Sequence, residues 1–240
     1  MKRPAVFFDF DDTLHPFIES YMRAIRTLRP LFEQAERPYD EERLCERLHA
    51  AWLDPWTRYM AGEHDEESLW WTWFSGGVKR MDPDIDDEFL RTLHEHFLTQ
   101  MRTSIIPYAD VEATLSELRP AYTVGLLSNG AAREQALRVQ GSGLAPLVDV
   151  VIIAGEHQLF KPQQALFDVA CRMADATPGD CVLVGDSARD DVAGAKAAGW
   201  RGIWLNRDGR SWPTDLAQPD AEIASLRELP SVLRAWMTRA

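Results

Sequence analysis

From about Pro107 onward, four short apolar runs, Tyr122 to Leu127, Val148 to Ile153, Cys181 to Val184 and Gly202 to Leu205, alternate with helix-length amphipathic stretches. Ala131 to Gln140, Gln164 to Ala174 and Arg189 to Ala198 carry apolar residues at helical spacing, with Gly141 and Gly199 as stops. This alternation leaves few folds open, because parallel strands need a crossover and the intervening helices supply it. An α/β fold on a parallel sheet is the expectation.

One more strand-like run, Ala5 to Phe8, opens the chain and ends in Asp9-Phe10-Asp11-Asp12-Thr13-Leu14. An extended strand sends alternate side chains to one face, so Asp9 and Asp11 can address one point. In a buried strand that crowding calls for a cation or a shared proton. Between His15 and Ser104 the pattern changes to helices: Pro16 to Ala35, Asp40 to Leu53, Glu66 to Met81 and Asp86 to Thr103. Breaker signals separate them at Arg37-Pro38, Asp54-Pro55, Gly62 and Asp82-Pro83. A helical insert therefore interrupts the sheet after its first strand, giving a core of residues 1–14 and 106–240 around an insert at 15–105.

The net charge of −12 argues against a nucleic-acid footprint or an anionic membrane surface as partner. Residues 15–105 hold 18 acidic and 11 basic side chains, mostly solvated helix faces, and five of the nine Trp, which read as packing of the insert's own core. Cys45, Cys171 and Cys181 show no CxxC pair, so a reducing cytoplasm is expected. No apolar stretch approaches the ~20 residues of a membrane span, and the N-terminus enters a strand without a leader pattern.

Four polar clusters each follow an apolar run: Asp9/Asp11/Thr13, Ser128-Asn129-Gly130, Lys161-Pro162, and Gly185-Asp186-Ser187 with Asp190 and Asp191. In an open parallel sheet ligands bind at the carboxyl ends of the strands, so the four become one site. DxDxT, a strand-terminal Ser, Lys-Pro and GDxxxxD in this order resemble the haloacid dehalogenase superfamily, specifically its phosphatases with a helical cap inserted after the first motif. That resemblance implies a Rossmann-like core with an all-helical cap. Leu127-Ser128-Asn129-Gly130 with Gln135, and Trp204-Leu205-Asn206-Arg207, look like the branch containing pyrimidine nucleotidases and N-acylneuraminate-9-phosphatase.

The resemblance implies a Mg²⁺-dependent phosphomonoester hydrolase acting on a small soluble metabolite, as a monomer or homodimer. Asp9 would be the nucleophile and a metal ligand. Asp11 would serve as acid and base and lend the metal its carbonyl, while Asp186 and Asp191 complete the metal set. Ser128, Asn129 and Lys161 would hold the phosphate, and Thr13 and Asp190 support the site. Asp190 is an alternative to Asp191 as ligand. Asp12, where the family often has Gly or another small polar residue, is assigned a structural role, and His15 and Phe17, at the entry to the cap, are read as hinge packing or exposed side chains, with contact to the substrate as the alternative. Three rivals remain: a 2-haloacid dehalogenase, a phosphomutase, and a module that binds phosphorylated metabolites without turnover. Cap hinges are expected near Leu14 to Phe17 and Ile105 to Tyr108.

Overall fold

The computed structural model describes residues 3–237. Chain order opens with β1 (Ala5–Phe8) and runs through α1 (Phe17–Arg26), α2 (Arg29–Gln34), α3 (Glu41–Ala51), α4 (Leu53–Met60), α5 (Glu66–Met81) and α6 (Asp87–Thr103). Alternation follows: α7 (Val111–Leu118), β2 (Thr123–Ser128), α8 (Ala132–Gly141), β3 (Val150–Ile153), α9 (Ala154–His157), α10 (Gln164–Met173) and β4 (Cys181–Gly185). A π-helical turn, Ala188–Ala193, leads into α11 (Gly194–Ala197), and β5 (Arg201–Leu205), β6 (Ala221–Ile223) and α12 (Leu229–Met237) complete the chain.

The six strands pair in the order β3-β2-β1-β4-β5-β6, all parallel. Ala5 lies level with Thr123 on one side and Cys181 on the other, so β1 is the central strand, and all four of its residues are buried. Burial on both faces is why it reads as an unbroken apolar run rather than an alternating one. Successive strands run outward from β1 in both directions, which puts a topological switch between β1 and β4 and a crevice at their carboxyl ends. Asp9 and Asp186 follow those two strands directly.

The described residues divide into two compact units: residues 3–16, 106–131 and 143–237 in one, residues 17–105 and 132–142 in the other. Helix α8 thus groups with the insert, whereas the sequence pattern put it in the core. Its contacts explain this. Glu66 accepts from the Arg133 and Glu134 N–H groups (2.8 and 2.7 Å), capping α8, and Arg102 donates to both Glu134 oxygens (2.7 and 2.5 Å). Gly141 is the last residue of α8, as the sequence pattern predicts, at a point where a side chain would collide with the Arg102 carbonyl, and the left-handed turn falls on Gly143 (φ 75°).

Within the insert, Phe32, Leu44, Leu48, Trp73, Phe74, Leu90 and Phe97 form a buried core, with Trp52, Trp70 and Trp71 packed against it. Part of the acidic excess serves as helix caps: Asp40, Asp65 and Asp86 accept from Arg43, Ser68 and Phe89 N–H at 3.0, 2.8 and 2.8 Å. Two expectations fail here. The single helix over Pro16 to Ala35 is two, because Pro30 can offer no N–H to a continuing helix. Asp54-Pro55 is not a break but sits in the first turn of α4, where a missing N–H costs nothing.

Candidate active site

Asp9 continues the sheet for one residue, its N–H donating to Val184 O at 2.9 Å. The chain then turns: Leu14 N–H returns to Phe10 O (3.0 Å) and Asp12 adopts φ 56°, a left-handed conformation that Asp tolerates better than most residues. Asp11 therefore reaches the site through a turn rather than through strand pleating. Asp9 and Asp11 nonetheless line one pocket of about 200 Å³, together with Asp12, Ser128, Asn129, Lys161, Asp186, Ser187, Asp190 and Asp191. Thr13 stands behind it, fully buried, its Oγ1 accepting from Asp186 N–H (3.1 Å), so the first and last motifs brace each other.

Lys161 is held from both ends. Asn129 Oδ1 accepts from its N–H (2.7 Å) and Asn129 Nδ2 donates to its carbonyl (2.9 Å), pinning the peptide as a strand neighbour would. Its ammonium donates to Asp9 Oδ1 and Asp191 Oδ1, both at 2.6 Å. Asp191 Oδ2 accepts from Ser187 N–H (2.9 Å), and the Ser187 hydroxyl in turn accepts from Asp190 N–H (3.1 Å). Asp191 is buried and belongs to the carboxylate cluster, while Asp190 lies at the pocket wall.

Gly185 explains the glycine of the fourth motif: a methyl there would overlap the Asp191 carboxyl. Gly185→Ala should therefore displace Asp191 from Lys161, costing about 1–3 kcal/mol as overpacking and lowering activity. Thermal denaturation with a parallel turnover assay checks this, and unchanged values in both would refute it.

Burial raises the Asp9 carboxyl well above its ordinary range, and Asp191 and Asp11 add to this against the opposing pull of Lys161. Burial and then Asp191 push Asp186 up to about 6, and Asp190 is also raised by burial. Burial opposes the charge on Lys161, but Asp191 and Asp9 outweigh it and hold the ammonium above its usual value. Six carboxylates thus crowd a pocket whose walls include one lysine. Oxygens of Asp9, Asp186 and Asp191 all lie within 4.8 Å of one another, a hard donor set of the kind a divalent cation takes.

Several contributors carry no catalytic signature in the sequence. Trp204 Nε1 donates to the Asp186 carbonyl (3.0 Å). Asn206 pins Arg210, accepting from its N–H and donating to its carbonyl (2.8 Å each). Arg210 then donates to Asp186 O and Oδ2 at 2.9 and 3.2 Å. Arg207 pairs with both oxygens of Asp110 (3.0 Å each) and donates to the Thr13 carbonyl (3.3 Å). The Trp204-Leu205-Asn206-Arg207 signature is thus a scaffold behind the pocket. His15, expected at a hinge or in solvent, is fully buried with Nε2 2.9 Å from Asp11 Oδ1.

The model of the haloacid dehalogenase-like hydrolase family matches residues 4–199. The chain belongs to that family. This hydrolase is 27% identical to mouse N-acylneuraminate-9-phosphatase over 96% of its length and 94% of the relative's. It is also 27% identical to Escherichia coli pyrimidine 5'-nucleotidase YjjG, over 97% of its length and 99% of the relative's. Among solved structures, a 2-haloacid dehalogenase from Pseudomonas syringae shares 31% identity and a TM-score of 0.74 over 98% of this hydrolase and 100% of that chain. The magnesium-bound HAD-hydrolase YfnB of Bacillus subtilis, at 22% identity and TM-score 0.75, covers 98% of this chain and 100% of its own and shares the fold. The phosphatase-named relatives support phosphatase activity. Among the described residues of this hydrolase, no helix is long and apolar enough to cross a membrane.

Proposed function

We propose that this chain is a Mg²⁺-dependent phosphomonoesterase acting on a small phosphorylated metabolite, a nucleoside monophosphate or sugar phosphate, through an aspartyl-phosphate on Asp9. The observation that carries this reading is the Lys161 ammonium 2.6 Å from both Asp9 and Asp191 in a pocket lined by six carboxylates. A phosphate dianion enters such a site only where added positive charge offsets those carboxylates. Asp9, Asp186 and Asp191, with the Asp11 carbonyl, are the donors that would hold Mg²⁺, with Asp190 supporting them. When bound, the ion supplies charge neutralisation for the phosphoryl oxygens.

The chain's own groups divide the remaining work. Asp9 attacks phosphorus as the ester P–O bond breaks, and Asp11 gives its proton to the leaving alcohol oxygen. Asp11, now ionised, takes a proton from water, whose oxygen attacks the aspartyl-phosphate, releasing inorganic phosphate and restoring Asp9. Lys161 and the Ser128 hydroxyl hold phosphate oxygens throughout, and Asn129 contributes by fixing Lys161. The identity to a 2-haloacid dehalogenase favours a second reading, halide displacement from carbon by Asp9. In that reaction the acid Asp11 and the acidic fourth motif have no task.

A panel of phosphate monoesters assayed with Mg²⁺ and with EDTA, beside 2-chloropropionate, separates the two. Phosphate release that stops with EDTA is expected, and chloride release in EDTA would sink the phosphatase reading. The raised Asp186 carboxyl adds a pH dependence, since its proton competes with the metal. Without metal, a raised carboxylate contributes stability that is fully present below the unfolded value of about 3.9 and lost as pH rises through about 6. Mg²⁺ should reverse that slope. It should raise the melting temperature at about pH 8 and lose the effect as pH falls through 6. Calorimetric scans across that range check this, and a pH-independent increment would contradict it.

A further inference from the structure

Asp11 does not stand alone. His15 lies four residues on, its side chain without solvent exposure, and its Nε2 is 2.9 Å from Asp11 Oδ1. The turn between them is closed by the Leu14 N–H to Phe10 O bond, and an isolated backbone bridge joins Asp11 to His15. Phe10 packs on the imidazole with ring centres 4.6 Å apart, so the ring cannot turn away without disrupting that contact. Tyr108 N–H, donating to Leu14 O at 2.9 Å, fixes the same turn from outside.

We infer that His15 is a positioning residue for the acid–base step, its Nε2–H holding Oδ1 of Asp11 so that Oδ2 is the oxygen that carries and transfers the proton. The inference rests on the role proposed above for Asp11. An ionised carboxylate only accepts, so the imidazole must present N–H at Nε2 toward it. With the imidazole kept as its Nε2–H tautomer when Asp11 takes up a proton, Oδ1 stays the accepting carbonyl oxygen and the proton goes to Oδ2. One oxygen is thereby reserved for structure and the other for chemistry, which keeps the carboxyl in a single orientation across both half-reactions. A carboxyl free to rotate would present its proton to the leaving oxygen for only part of the time.

The test uses the full chain with Mg²⁺ and two substrates that differ mainly in leaving group, 4-nitrophenyl phosphate and phenyl phosphate. A good leaving group needs little proton donation and a poor one needs much. Asp11→Asn should lower kcat for phenyl phosphate far more than for 4-nitrophenyl phosphate; if both fall equally, the acid role of Asp11 itself fails. With that established, His15→Phe, which keeps a ring but removes the donor, should lower kcat for phenyl phosphate about tenfold more than for 4-nitrophenyl phosphate. KM should be little changed for either. His15→Gln, which retains an N–H donor, should recover much of the difference, and it carries the test should the Phe variant not fold, because Gln then still reports a smaller shift in the same direction. Equal losses on both substrates in the His15 variants, with Asp11→Asn discriminating, would overturn the inference and leave the phosphatase reading intact.

Discussion

Replacing Asp9 with Asn will abolish turnover, lowering kcat by about 10⁴-fold or more, the scale on which hydrolases feel the loss of a covalent nucleophile. The amide keeps the shape and one acceptor oxygen, so the Lys161 contact at 2.6 Å has a substitute while the nucleophilic oxygen does not. Stability should move in the other direction or hardly at all. Burial and the neighbouring Asp191 make an ionised Asp9 costly, and the neutral amide removes that cost while Lys161 keeps Asp191 as its ion-pair partner. Loss of activity with an unchanged or raised melting temperature would therefore separate chemistry from folding. Retention of Mg²⁺-dependent phosphate release by the variant would end the aspartyl-phosphate mechanism.

Legibility in the sequence followed the locality of the physics. Strands β1 to β5 were readable because a parallel strand covered on both faces is a continuous apolar run, and the first, second and fourth motifs could be placed because each directly follows such a run, whereas Lys161 lies beyond β3 and α9. Strand β6, three residues with one half-buried and one exposed position, carries no such signal. The turn at Asp12, with φ 56°, belongs to the local chain. Roles that depend on distant partners were not readable. Arg207 looks like any loop arginine until Asp110, 97 residues away, closes its fork, and nothing near Asn129 in the chain announces that its amide holds both the N–H and the carbonyl of Lys161. His15 is the instructive case: it is only four residues from Asp11, but the turn that joins them is not helical, so no periodicity announces the contact. Pro55 misled for the opposite reason, since a residue that breaks a helix interior is harmless in a first turn.

Lys161→Met tests the other half of the site, because it removes the cation that two buried carboxylates share. An uncompensated buried charge typically costs about 3–5 kcal/mol, so the variant should be much less stable near neutral pH. Activity should fall as well, by about 10²–10³-fold, through loss of the donor that holds a phosphate oxygen. The pH dependence distinguishes this from simple repacking. Lys161 is what opposes the upward shift of Asp9, so without it Asp9 rises further. A raised carboxylate binds its proton more tightly in the folded chain than in the unfolded one, so its stabilising contribution is intact below about pH 4 and lost progressively above it. The stability gap between wild type and Lys161→Met should therefore be smallest in acid and widen toward neutral pH. Urea unfolding at several pH values measures it directly, and a gap that stays constant across the range would mean that the variant loses packing rather than charge compensation. Mg²⁺ adds a further discriminant. A divalent ion held by Asp9, Asp186 and Asp191 would replace part of the missing positive charge, so it should stabilise Lys161→Met by more than it stabilises wild type, even though turnover stays low.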